Sequence, residues 1–249
     1  MPRLKAHFEL RQIVHRTMIT AGLPESMLAK AIETWENALP PYLKLAYLPN
    51  PGAVRLRLSA YEVEGESVSK EIERQFEALR RIIPHNIIGY ETATMQELIH
   101  KLLTERRQTL ATAESCTGGT IAARFTAMPG ASAYFLCGVV SYSNASKQAV
   151  LGVDPDTIAR YGAVSEQVAR QMAEGARRIS GADYAVSTTG IAGPAGGTAE
   201  KPVGTVWIAV AGPRRTVALL KQCGSDRGQI IDRAGAFALG LLRDELNGK

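Results

Sequence analysis

Ser115 has the surroundings of a nucleophile. It lies in Glu114-Ser115-Cys116-Thr117-Gly118-Gly119, a segment that leaves an apolar run and opens into a helical one. A serine in such a tight bend presents its hydroxyl, while the paired glycines let backbone N–H groups approach an anion or a polarised carbonyl. The spelling is neither G-x-S-x-G nor a Walker loop, so neither of those sites is expected. Two readings remain: a nucleophile or phosphate cradle, and a serine that only caps the following helix.

A serine hydroxyl attacks only if a base takes its proton. All four histidines (His7, His15, His85 and His100) precede the segment, so a serine–histidine pair would have to borrow an imidazole from the first hundred residues. Lysine is the other strong candidate, because a desolvated amine can accept a proton near neutrality. Lys147 fits best: Ser141-Tyr142-Ser143-Asn144-Ala145-Ser146-Lys147 joins an apolar strand to a short helix. Tyr142, at the end of that strand, can aim a phenol at the same cleft. The plain alternative for Lys147 is a solvated surface lysine.

A second glycine-rich turn runs from Thr188 to Gly197 and includes Thr189, Gly190 and Gly193. Its N–H groups and the Thr189 hydroxyl suit a substrate or an oxyanion, against the bland reading of a long crossover. Arg227, after Asp226, can hold a phosphate in a forked contact or simply sit at a helix start. Cys116 adjoins Ser115, and since adjacent residues point apart, its thiol is expected to pack inside while its backbone joins Thr117, Gly118 and Gly119 around the ligand.

These residues need a scaffold, and the chain supplies two compositions. The first hundred residues carry 12 basic and 12 acidic groups, whereas the remainder carries 17 and 12, together with 19 of the 23 glycines. Residues 1–92 read as a small α+β unit. The spacing of Leu4, Phe8, Ile13, Val14 and Met18 predicts a helix closed by Gly22, a second helix covers Glu25 to Asn37, and Tyr42–Leu48 and Ala53–Tyr61 form a hairpin around Asn50-Pro51-Gly52. Ile72, Phe76, Leu79 and Ile83 return to helical spacing, and a short strand follows at Asn86–Tyr90.

Residues 93–249 alternate instead. Strands are expected at Thr109–Ala113, Tyr134–Tyr142, Tyr184–Thr188, Thr205–Ala211 and Thr216–Gln222, with helices near Met95–Leu103, Thr117–Ala127, Asn144–Val150, Glu166–Ile179 and Gly228–Leu246. That order predicts a three-layer α/β/α domain whose sheet is mixed, because the pair around Gly212-Pro213 must be antiparallel. Ligands in such sheets gather where strands end in glycine-rich turns.

Composition narrows the class. Cys116, Cys137 and Cys223 are odd in number and unpaired in spacing, which suggests neither a disulfide framework nor a zinc ribbon. No apolar run reaches the roughly 18 residues of a membrane span, and the first twenty residues are charged where a signal peptide would be apolar, so a cytoplasmic protein is expected. A surplus of five positive charges without a basic run is weak for nucleic acid and compatible with a small phosphorylated ligand.

The stretches AESCTGG (Ala113–Gly119), VVSYSNASK (Val139–Lys147), GAVSEQVARQMAEGAR (Gly162–Arg177) and TGIAGPAGGTAEKPVGTVW (Thr189–Trp207) together resemble the carboxy-terminal domain of the CinA family. That domain is also known alone as a nicotinamide-nucleotide amidase of the PncC type. The preceding residues resemble the KH-type middle domain of CinA proteins, without a G-x-x-G loop, so RNA is not an expected partner. The whole resembles the last two thirds of a CinA protein, after its large amino-terminal domain. Two departures are small: Cys137-Gly138 where the family has paired glycines, and Ser225 where it has glycine before Asp226-Arg227.

The resemblance implies hydrolysis of the carboxamide of nicotinamide mononucleotide, with Ser115 as nucleophile, Lys147 as base and Tyr142 as supporting hydroxyl. Thr189 falls on the substrate and oxyanion side and Arg227 on the phosphate. It implies no cofactor and no metal, and a homo-oligomer, a dimer or larger, is expected. The rival expectation is a non-catalytic nucleotide-binding or interaction module tied to competence or DNA damage; a third is an amidase for another carboxamide.

Overall fold

The computed structural model describes residues 13–50, 52–61 and 65–248. The chain divides into two compact units, one ending at Thr94 and the other beginning at Met95. No helix among the described residues is long and apolar enough to cross a membrane.

The first unit is a four-stranded antiparallel sheet in the order β2-β3-β1-β4, made of β1 (Ile13–Ala21), β2 (Leu43–Asn50), β3 (Ala53–Tyr61) and β4 (Ile87–Tyr90), with α1 (Glu25–Asn37) and α2 (Gly65–Ile82). Leu28, Ile32 and Trp35 from α1 and Ile72, Phe76 and Leu79 from α2 pack with Met18, Leu56 and Leu58 of the sheet. The helix expected from Leu4 to Met18 is corrected here: Leu4 and Phe8 lie outside the described residues, and Ile13–Ala21 is a strand. Ile13, Val14, Thr17, Ile19 and Thr20 are β-branched, and this strand lies between β3 and β4. Its last five residues are all buried, so the two-residue alternation that marks a half-wet strand is missing. Pro51 of the hairpin turn also lies outside the described residues.

In the second unit five strands lie in the order β6-β5-β7-β8-β9: β5 (Leu110–Glu114), β6 (Phe135–Val140), β7 (Tyr184–Gly190), β8 (Thr205–Ala211) and β9 (Thr216–Gln222). β5 runs parallel to β6 and β7, and β8 and β9 are antiparallel, giving the mixed sheet expected from the alternation. On one side α3 (Met95–Arg106), α4 (Thr120–Thr126) and α8 (Arg227–Leu246) bury Ile99, Leu103, Phe125, Ile230 and Leu239 against Val186, Ile208 and Val210. On the other, α5 (Asn144–Leu151), α6 (Pro155–Tyr161) and α7 (Glu166–Ser180) bury Leu151, Ile158, Val168 and Met172 against Ala111, Ala113 and Ala185. The chain leaves β5 for β6 on one side and then crosses to β7 on the other. That reversal opens a crevice at the carboxyl end of β5, where a ligand fits without displacing a strand.

Candidate active site

Ser115 is the first residue beyond β5, and its amide donates to Thr188 O at 3.0 Å, tying the bend to β7. The bend then turns sharply through Gly118 (φ 62°) and Gly119 (φ 95°), a left-handed conformation that side chains disfavour. A Cβ on Gly119 would also press on Val140 Cγ2 at 3.3 Å.

Glu114 holds this bend from inside. Its fully buried carboxylate accepts from Thr117 Oγ1 (2.7 Å), Gly119 N (3.0 Å) and Ile121 N (3.0 Å) on one oxygen and from Ala122 N (2.8 Å) on the other. An anion is what the unsatisfied amides at a helix start attract, and here the protein supplies its own. This bears on the expected ligand contacts. Thr117 shares its hydroxyl with Glu114 and Thr188 behind the bend, and Gly118 and Gly119 do not line the cavity; the Gly119 amide is committed to Glu114. Sequence reasoning missed Glu114, although an acidic residue ending an apolar strand just before a glycine turn was the available signal.

Two amides of the bend remain: among the described residues that of Thr117 donates to no protein acceptor, and that of Cys116 to none beyond its own thiol. Cys116 lines the cavity and is otherwise buried; desolvation pushes its thiol up to about 12, which leaves it protonated and a poor nucleophile near neutrality.

Lys147 comes from α5, whose start is fixed by Ser143: its Oγ accepts from Ser146 N at 3.1 Å and Ser146 Oγ accepts from Ser143 N at 3.1 Å. The side chain turns inward and is only 2% exposed. Its Nζ donates to Ser115 Oγ at 3.0 Å and to Ser141 O at 2.8 Å. No acidic side chain pairs with it among the described residues. Burial without a counter-charge pushes the amine below the ordinary lysine value, opposed weakly by the Cys116 thiol. The amine and the hydroxyl, 32 residues apart in the chain, thus meet in one cavity.

That cavity, of about 290 Å³, is lined by Ser115, Cys116, Tyr142, Asn144, Lys147, Thr189, Gly190, Gly193 and Arg227 among others. The Thr189 hydroxyl donates to Ala163 O at 2.8 Å, so its proton is committed and the expected donation to an oxyanion would break that bond. A Cβ on Gly190 would meet Thr205 O at 2.8 Å, which explains glycine where β7 opens into the loop. Arg227 is at the rim, donating to Gly193 O (2.8 Å) and to the Tyr142 hydroxyl (3.0 Å). Tyr142 is 62% exposed and makes no hydrogen bond to Ser115 or Lys147, so it stands with Arg227 at the mouth rather than beside the amine.

Residues 92–246 match the family model described as the CinA C-terminal domain, and residues 15–89 match the damage-inducible protein CinA KH domain. The chain belongs to the CinA family. A CinA-like protein of Flavobacterium psychrophilum is 44% identical over 247 residues, covering 99% of this chain and 59% of that protein. One of Amoebophilus asiaticus is 39% identical over 249 residues, covering 100% and 60%. The chain therefore spans about three fifths of these CinA-like proteins. Among solved structures, a competence/damage-inducible protein of Agrobacterium tumefaciens is similar with TM-score 0.60 and 41% identity, covering 61% of this chain and 93% of that one. A CinA superfamily protein of Escherichia coli gives 0.58 and 33%, covering 60% and 87%.

Proposed function

We propose that this CinA-family chain hydrolyses the carboxamide of nicotinamide mononucleotide to nicotinate mononucleotide and ammonia, with Ser115 as nucleophile and Lys147 as base, in residues 93–249. The observation that carries the reading is the 3.0 Å contact between a buried amine without an acidic partner and a hydroxyl at the switch point of the sheet. Neutral Lys147 takes the Ser115 proton as the oxygen attacks the amide carbon. The resulting oxyanion turns to the Cys116 and Thr117 amides, of which Thr117 has no acceptor among the described residues to give up and Cys116 only its own thiol. Lys147 then returns its proton to the departing nitrogen, ammonia leaves, and a water deprotonated by Lys147 cleaves the ester and restores Ser115.

The phosphate end is supported by charge. Asn144 opens α5, so the positive end of that helix borders the cavity together with the Arg227 guanidinium, and no acidic side chain among the described residues lines it; the start of α8 is capped by Asp226. The test is ammonia release from nicotinamide mononucleotide beside a panel of other carboxamides. Ser115→Ala and Lys147→Ala should each lose activity by several powers of ten while still binding the nucleotide. Binding without ammonia release by the unaltered protein would instead favour a non-catalytic nucleotide module.

A further inference from the structure

Lys147 can serve Ser115 only if α5 carries it to the right depth, and α5 is a helix of just eight residues. Its peptide is well tethered: Lys147 N donates to Ser143 O at 3.1 Å and Lys147 O accepts from Val153 N at 3.1 Å. The end of the helix is then seated on α7. Gly175 of α7 is buried against Leu151, the last residue of α5; a Cβ there would overlap the Leu151 carbonyl oxygen and come within 2.9 Å of its carbon. The same carbonyl oxygen accepts from Arg178 Nη2 at 2.9 Å, one turn further along α7. Leu151 stands one turn after Lys147, roughly 6 Å along the helix, so movement at this seat is movement of the lysine.

We propose that Gly175 and Arg178 are positioning residues: the close seat of α5 on α7, clamped at Leu151 O, sets the depth of Lys147 and holds its amine against Ser115. This rests on Lys147 as the base, and neither residue lines the cavity. Among the described residues the Cys116 thiol is the titratable group that acts on the amine; Arg178 is engaged at Leu151 O instead. Lifting α5 would therefore act on the amine by wetting it and by lengthening its reach to the hydroxyl.

The experiment compares Gly175→Ala, Arg178→Ala and Arg178→Lys with the unaltered chain in two readouts. The first is the titration of the Lys147 ε-methylene by NMR with isotope-labelled lysine, assigned with Lys147→Arg; the second is the pH dependence of ammonia release. For Gly175→Ala, displacement by about 1 Å should lower kcat on the order of 100-fold with KM nearly unchanged. Lys147 should titrate at higher pH, with the acid limb of activity following it. Arg178→Ala should shift both in the same direction by less, and Arg178→Lys should recover most of the loss. Unchanged Lys147 titration in both Gly175→Ala and Arg178→Ala, or lost activity with an unmoved acid limb, would overturn the proposal. If Gly175→Ala fails to fold, Arg178→Ala decides, since it removes only an exposed side chain's bond. The NMR titration reads the seat even if the protein releases no ammonia, which would count against the amidase reading alone.

Discussion

Replacing Glu114 by Gln removes a charge and turns one acceptor into a donor while leaving the shape almost intact. Four donors converge on this carboxylate. A Gln oxygen in the place that receives Thr117, Gly119 and Ile121 keeps three contacts, each now neutral and roughly half as strong. Its amide nitrogen then faces the Ala122 N–H, leaving a buried donor unmet at about 1–3 kcal/mol. Relief from burying a charge offsets part of this, so a net loss of about 2–4 kcal/mol is expected, lowering Tm by roughly 5–15 °C for a domain of this size. Because Ser115 and the amides of Cys116 and Thr117 follow Glu114 directly, kcat should fall at least about tenfold while KM changes little. Thermal unfolding and steady-state ammonia release on the same preparation check both halves. A variant within about 2 °C and twofold of the unaltered protein would refute the assignment of Glu114 as the internal anchor of the bend.

Arg227→Ala should raise KM for the nucleotide by about tenfold or more and leave kcat largely intact, since its contacts are at the mouth, with Gly193 O and Tyr142. For Tyr142→Phe the phenol's bond to Arg227 is lost but not the Ser115–Lys147 contact, so KM should shift more than kcat; a fall in kcat alone would return Tyr142 to the catalytic centre. Gly119→Ala must hold a side chain at φ 95° and press on Val140, and should destabilise by about 1–3 kcal/mol in denaturant unfolding.

Much of the fold is legible where periodicity and punctuation agree. The helix Glu25–Asn37 and the strands Ala53–Tyr61, Thr205–Ala211 and Thr216–Gln222 have the bounds expected from the sequence. The failures have physical causes. β1 is buried along its second half and so shows no alternation, and apolar residues chosen across Leu4–Met18 mimicked a helical stripe. α6 escaped notice although Asp154 caps it, accepting from Asp156 N at 3.1 Å and Thr157 N at 3.2 Å, with Pro155 at the first helical position.

In the site, the absence of a nearby histidine pointed to Lys147, and the structure brings it to Ser115. What the sequence withheld is which donors are already spent. Thr117 and Gly119 answer to Glu114, Thr189 to Ala163 and Tyr142 to Arg227, and each of these bonds depends on tertiary neighbours or on a local turn geometry that spacing alone does not reveal.

Burial makes the Lys147 amine easier to deprotonate, and in the proposed reaction that amine activates Ser115. The pH dependence of kcat/KM for ammonia release tests it most directly, measured in parallel with the NMR titration of Lys147. Since desolvation lowers the Lys147 pKa from its ordinary 10.5, activity should be lost as pH falls through that depressed value and be present above it. The acid limb should coincide with the titration of Lys147, and Lys147→Ala should abolish turnover while nicotinamide mononucleotide still binds. Turnover that survives in Lys147→Ala, or an acid limb that ignores the titration of this amine, would contradict the account.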